Sequence, residues 1–205
     1  MPAIINQKSY RRAFAECWAR AGRGDLHVFA YGSLMWRPGF CVRQSAAARV
    51  FGYSRRLAVK SFHYRGTPQK PGLVFGLDAG GSCNGAVLRV AAKNKKRVLQ
   101  ILFRREMFAG IYNPVFIKAR LLATGKQTRA LAFAARRDTP HYAPPLSLRE
   151  TAGIIRSAKG AGGGNEEYIQ NTRKELERLG IPCPQLAKLC AALNRQTKQK
   201  NTRKA

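Results

Sequence analysis

Apolar and polar positions alternate along this chain with two periods, and the change of period marks its elements. Over residues 8–22, Phe14, Trp18 and Ala21 stand at helical spacing and predict a helix. Short apolar stretches rich in β-branched and aromatic residues then predict strands at 26–31, 48–60, 73–78, 84–91, 114–122 and 127–135. Alternation is clear where Val115, Ile117, Ala119 and Leu121 can line one face. A helix interrupts near 94–108, opened by Asn94 and closed before Gly110. The last third is helical. "SLRE" at 147–150 is a capping box that starts a helix ending at Gly160, and "GAGGG" at 160–164 predicts a flexible loop. Asn165 is expected to cap the next helix, with Glu166 and Glu167 in its first turn, and Gly180 and Pro182 to end it. A short helix from Pro184 to about Leu193 precedes a basic tail. Strands first and helices later predict an α+β fold, with a mostly antiparallel sheet or small barrel.

Composition adds bounds. The 205 residues suit one domain with a real core. No run approaches the length of a membrane span, and Arg11, Arg12 and Glu16 interrupt any apolar signal core in residues 1–25, so no secretion is expected. The cysteines at 17, 41, 83, 183 and 190 are odd in number and lack metal-type spacing, which fits a reducing, cytoplasmic compartment. His27, His63 and His141 are scattered, so no metal site is expected. Charge is the unusual feature: 38 Lys and Arg against 10 Asp and Glu give +28. The stretch 195–205 holds five of these bases, no acid, and is expected to be disordered. The remainder is still strongly basic, which implies affinity for anions: nucleic acid, an anionic surface or an anionic small substrate. The bases do not gather into a recognisable nucleic-acid motif, which favours nonspecific polyanion affinity over a dedicated site.

Two features carry candidate chemistry. In "HVFAYGSLMW", residues 27–36, a short buried strand stops at Tyr31-Gly32-Ser33. Such a stop can aim consecutive backbone N–H groups at one anion, though Gly and Ser are also ordinary turn residues. The second feature emerges by elimination among ten acids. Asp25, Asp78 and Asp138 read as loop or turn acids; Glu150, Glu166 and Glu167 have capping roles; Glu16, Glu175 and Glu177 sit among bases on solvated helical faces. Glu106 differs. It shares a helical face with Leu99, Leu102 and Phe103 and lies near the helix C-terminus. Burial and the macrodipole both raise a carboxylate's pKa there, as a general base working near neutrality requires. An ion pair with Arg104 or Arg105 at the core edge would explain the same position, and the residues alone do not choose. "YRGTPQKPG" at 64–72 is a structured loop in which Arg65 and Lys70 could hold a carboxylate, or merely decorate the surface.

Taken in order, "VFAYGSLMWRPGF", "GYSRRL", "RGTPQKPG", "LFRREM" and "GGGNEEYI" resemble the ChaC family of glutathione-specific γ-glutamylcyclotransferases, over roughly residues 26–194. The resemblance implies a small mixed, mostly antiparallel β-barrel with flanking helices (residues 26–194), after an N-terminal helical extension (1–25) and before the tail (195–205). It implies cleavage of glutathione to 5-oxoproline and cysteinylglycine, with no metal, nucleotide or covalent nucleophile. It maps the γ-glutamyl cradle onto Tyr31, Gly32, Ser33 and Leu34, with Phe29 and Ala30 leading in. It maps the proton acceptor onto Glu106 and a tyrosine near the substrate onto Tyr142, and the "RGTPQKPG" loop brings Arg65 into the substrate-binding set. Ala30, Leu73 and Asn84 depart from residues usual in the family. Cyclisation of other γ-glutamyl amines or dipeptides, and a basic nucleic-acid-binding module, are the alternatives. Oligomeric state is not readable from these residues.

Overall fold

The structure is a computed structural model that describes residues 6–107 and 109–202, with side chains to residue 194. It divides into two compact units. One comprises residues up to Arg56 together with Gly76–Tyr142; the other comprises Leu57–Phe75 and the chain from Ala143.

The first unit holds the barrel. Its strands are β1 (Leu26–Ala30), the greater part of β2 (Gln44–Ser61) and of β3 (Gly72–Val90), β4 (Tyr112–Leu121) and β5 (Gln127–Ala135), closed in the order β1-β3-β2-β4-β5. Antiparallel pairing runs from Leu26↔Val90 to Ala30↔Ala86 and from Tyr112↔Ala135 to Arg120↔Gln127. Strand β5 meets β1 and β3 in parallel, at Val28↔Leu131 and Leu77↔Ala134, which makes the barrel mixed. The sequence predicts two strands, 73–78 and 84–91, where one strand of 19 residues stands. Gly80 and Gly81, both at positive φ, carry the chain through what reads as a turn.

Helix α1 (Gln7–Arg20) and helix α2 (Lys95–Glu106) belong to this unit, the latter entered through a 3-10 turn at Ala92–Asn94. Asn94 therefore opens the helix without a side-chain cap. Tyr10 and Phe14 of α1 meet the ring of Phe103 edge-on at 5.7 and 5.1 Å, and Phe103 in turn meets Phe133 of the barrel. Leu99, Leu102 and Phe103 are fully buried, as their spacing predicts.

In the second unit, α3 (Leu148–Ser157), α4 (Asn165–Arg178) and α5 (Pro184–Thr202) pack around Ile155, Ile169, Leu176 and Leu193. The capping box forms as predicted: Ser147 Oγ accepts from the Glu150 N–H and the Glu150 carboxylate accepts from the Ser147 N–H. Three expectations are corrected. "GAGGG" is not a free loop. Lys159–Gly160 and Gly163–Gly164 form a hairpin (β6 and β7), and the N–H groups of Ala161 and Gly162 donate to the carbonyls of His63 and Tyr64. Asn165 does not cap α4, because Gly164 holds that position. Asn165 is instead fully buried, its amide accepting from the Leu73 N–H and donating to the Leu73 carbonyl, as a neighbouring strand would. Finally, α5 continues to Thr202, whereas the sequence reading ends it near Leu193. No Gly or Pro follows Leu193 to stop it, and Arg, Gln and Lys are good helix formers. Residues 203–205 lie outside the described residues.

Candidate active site

Strand β1 delivers the first part of the site. Val28, Phe29 and Ala30 are fully buried, and the strand ends in a turn at Tyr31–Trp36. The Gly32 carbonyl accepts from the Met35 N–H and the Ser33 carbonyl from the Arg37 N–H. Among the described residues, the N–H groups of Gly32, Ser33 and Leu34 make no hydrogen bond. Gly32 and Leu34 are buried, so two of these three consecutive donors belong to residues withdrawn from water. Buried donors are seldom left without a partner. Gly32 does not use the positive φ that its identity invites. Its contribution is a backbone without a side chain in a buried turn.

Tyr31 is fixed at both ends. Its hydroxyl donates to the Phe133 carbonyl at 2.5 Å, and its own carbonyl accepts from Arg55 Nε at 2.6 Å. Arg55 also donates to the Asn84 carbonyl, so the "GYSRRL" segment of β2 holds the turn from behind.

Helix α2 supplies the second part. Glu106, its last residue, keeps 14% of its side chain exposed and pairs with Arg105 Nε at 3.1 Å. Burial pushes the Glu106 carboxyl above the ordinary glutamate range, and the neighbouring Arg105 charge opposes that rise without cancelling it. The same guanidinium donates through Nη2 to Ser33 Oγ at 2.8 Å and through Nη1 to the carbonyls of Arg37 (2.6 Å) and Pro38 (3.3 Å). Arg105 thus ties the carboxylate directly to the donor turn. Sequence reasoning treats Arg105 only as an alternative partner for Glu106, because its reach to Ser33 spans 72 residues of chain.

Tyr142 sits in a second cluster of the same unit. Its hydroxyl donates to Asp78 Oδ2 at 3.0 Å and accepts from Arg56 at 3.2 Å. Asp78 is 1% exposed and also pairs with Arg56 and Arg137. These donors outweigh its burial and hold its carboxyl below the ordinary aspartate range. The sequence reading of Asp78 as a turn acid is therefore corrected: it is the buried centre of an ionic cluster. The positive-φ Gly80 and Gly81 beside it supply the turn-like signal that misleads.

Arg65 lies in the other unit. It is 6% exposed, donates to the Gly164 carbonyl at 3.0 Å, and approaches the Glu167 carboxylate at 3.4 Å and the Tyr168 ring at 5.7 Å. Its described contacts join the "RGTPQKPG" loop to the start of α4. Lys70 and Thr67 close a turn within that loop. Among the described residues no cluster of three or more His, Cys, Asp or Glu side chains gathers to hold a metal.

A Ser33→Ala variant is expected to lose the acceptor for Arg105 and keep the N–H. Turnover of substrate is expected to fall by about tenfold, the lower end of the scale for one lost hydrogen bond to a charged group, since Ser33 is only half-buried. Steady-state kinetics check this, and a loss as deep as that of the carboxylate would assign the hydroxyl a direct role.

The barrel is that of the γ-glutamyl cyclotransferases. Two crystal structures of a yeast cyclotransferase specific to glutathione superpose on it with TM-scores of 0.76 and 0.73, over 84% of this chain and 96% and 99% of theirs, at 20% and 19% identity. Within that class, the chain belongs to the ChaC-like proteins, whose family profile matches residues 26–196. Its relatives include the glutathione-specific γ-glutamylcyclotransferase of Escherichia coli K12, 30% identical over 79% of this chain and 70% of that protein. The glutathione-specific γ-glutamylcyclotransferase 1 of Danio rerio is 31% identical over 80% of this chain and 84% of its own length.

Proposed function

We propose that this protein degrades glutathione as a γ-glutamylcyclotransferase, releasing 5-oxoproline and cysteinylglycine, with Glu106 as the general base. One observation carries the assignment of roles: a single guanidinium, that of Arg105, joins the Glu106 carboxylate to the turn bearing the Gly32, Ser33 and Leu34 N–H groups.

The chemistry follows from those parts. The substrate's α-amine attacks its own γ-carbonyl carbon and closes a five-membered ring. Ring closure within one molecule gains an effective molarity on the order of 10⁵–10⁸ M once the chain is folded for attack. The attacking nitrogen must shed a proton, and Glu106, with its affinity for protons raised by burial, takes it. As the amide C–N bond breaks, the protonated Glu106 returns that proton to the departing cysteinyl nitrogen. The free N–H groups of the turn hold the γ-glutamyl carboxylate or the oxygen that gains charge during attack. Phe29 and Ala30 align the turn, and Tyr31 and Leu34 wall it. Tyr142, oriented by Asp78 and Arg56, contributes to the substrate pocket, and Arg65 braces the loop before β3. The cysteines Cys17, Cys41, Cys83, Cys183 and Cys190 form no disulfide among the described residues, in keeping with a reducing, cytoplasmic setting.

Incubation with glutathione, following 5-oxoproline and cysteinylglycine together, tests the activity. A parallel panel of γ-glutamyl amines and dipeptides tests the substrate; faster turnover of those than of glutathione would overturn the specificity.

Arg105 is a positioning residue in this reading, and pH separates that role from a structural one. An Arg105→Gln variant removes the cation that lowers the Glu106 pKa. The base then needs a higher pH to ionise, so the acid limb of kcat/KM is expected to move to higher pH. A merely structural role would lower activity equally at all pH values. Arg105→Lys, which retains the charge, is expected to keep the limb closer to its original position.

A further inference from the structure

The outward face of β2, β4 and β5 carries positive charge that no acid answers. Ala48, Val50 and Ala119 are fully buried, so alternation turns Arg49, Phe51, Lys118 and Arg120 outward. Register places Arg49 opposite Arg120 and Lys118 opposite Arg129. Like charges directly opposite across strands oppose pairing, so two such pairs side by side are a cost to the fold. None of these four bases has an ion pair among the described residues, whereas Asp25, Asp78, Asp138, Glu16, Glu175 and Glu177 all pair elsewhere. Aromatic rings lie among the bases. Phe51 is 59% exposed, with the Arg49 guanidinium 5.1 Å from its ring. Phe116 lies beneath the guanidinium groups of Arg129 (4.4 Å) and Arg20 (5.2 Å).

We propose that this face binds single-stranded nucleic acid, with phosphates held by Arg49, Lys118, Arg120 and Arg129 and a base stacked on Phe51. The charge selects a polyanion. The exposed ring among the bases favours an unpaired strand, whose bases can stack, over a membrane surface. Neither the cradle turn nor Glu106 takes part, so this inference stands apart from the cyclotransferase reading.

The test uses the full chain and a labelled oligouridylate, with binding followed by fluorescence anisotropy across a salt series. A variant carrying Arg49→Gln, Lys118→Gln, Arg120→Gln and Arg129→Gln is compared with one that loses equal charge from exposed positions of the other unit, Arg149→Gln, Lys159→Gln, Lys174→Gln and Lys188→Gln. The first is expected to bind about tenfold or more weakly and to lose about two to three from the logarithmic salt slope. The second is expected to bind within about twofold of the parent. Phe51→Ala alone is expected to weaken binding about fivefold or more with the salt slope unchanged, and it keeps the proposal testable if the quadruple variant fails to fold. Equal losses in both quadruple variants would overturn the proposal, since net charge alone would then explain binding. So would a loss produced only by deleting residues 195–205, or capture by anionic phosphatidylglycerol vesicles without binding of the oligonucleotide.

Discussion

Glu106→Gln is expected to abolish glutathione turnover, by a factor on the order of 10²–10⁴, the usual range for a lost general base. The amide keeps the shape and can still face Arg105, but it cannot take the proton from the attacking amine. The folded protein should survive the change. A carboxylate whose folded-state pKa is raised favours the native state in its protonated form, so its contribution to stability grows as pH falls through that pKa and is lost as pH rises. The variant has no such dependence. Its melting temperature is therefore expected to match or exceed that of the parent at neutral pH, with the difference narrowing in acid. Paired assays of turnover and thermal melting read both quantities, and near-parental turnover in a well-folded variant would remove Glu106 from the mechanism.

Gly160→Ala is expected to be strongly destabilising, costing about 3 kcal/mol or more. An added Cβ there would meet the His63 carbonyl oxygen, the Tyr64 carbonyl carbon at 2.6 Å and the Gly66 nitrogen at 2.7 Å. All three are backbone atoms, so no side chain can swing aside. At roughly 2–4 °C per kcal/mol for a chain of this size, the melting temperature should drop by about 6–12 °C. Gly153 is the contrast. It lies in α3 with nothing within 4 Å of its would-be Cβ. Gly153→Ala is expected to stabilise by about 0.5–1 kcal/mol through helix propensity. Equal effects of the two changes would mean that "GAGGG" is not packed against residues 63–66.

Local rules read much of this molecule correctly because the deciding interactions lie within a few residues. The buried face of α2, the Ser147–Glu150 capping box and the strand at 127–135 all depend on neighbours in sequence, and all stand where the pattern places them. Glu106 is also legible, since a charge on an otherwise apolar helical face is visible in the spacing alone. What sequence pattern could not supply were partners distant along the chain. Asp78 reads as a turn acid until β3 carries it beside Arg56, Arg137 and Tyr142. Asn165 reads as a cap until its amide meets the backbone of Leu73, 92 residues earlier. "GAGGG" reads as flexible because glycine permits freedom, yet here the missing side chains allow backbone to pack on backbone. The linkage of Glu106 to the donor turn through Arg105 is of the same kind. Spacing along the chain set which residues could do chemistry, and closure of the barrel set which of them meet.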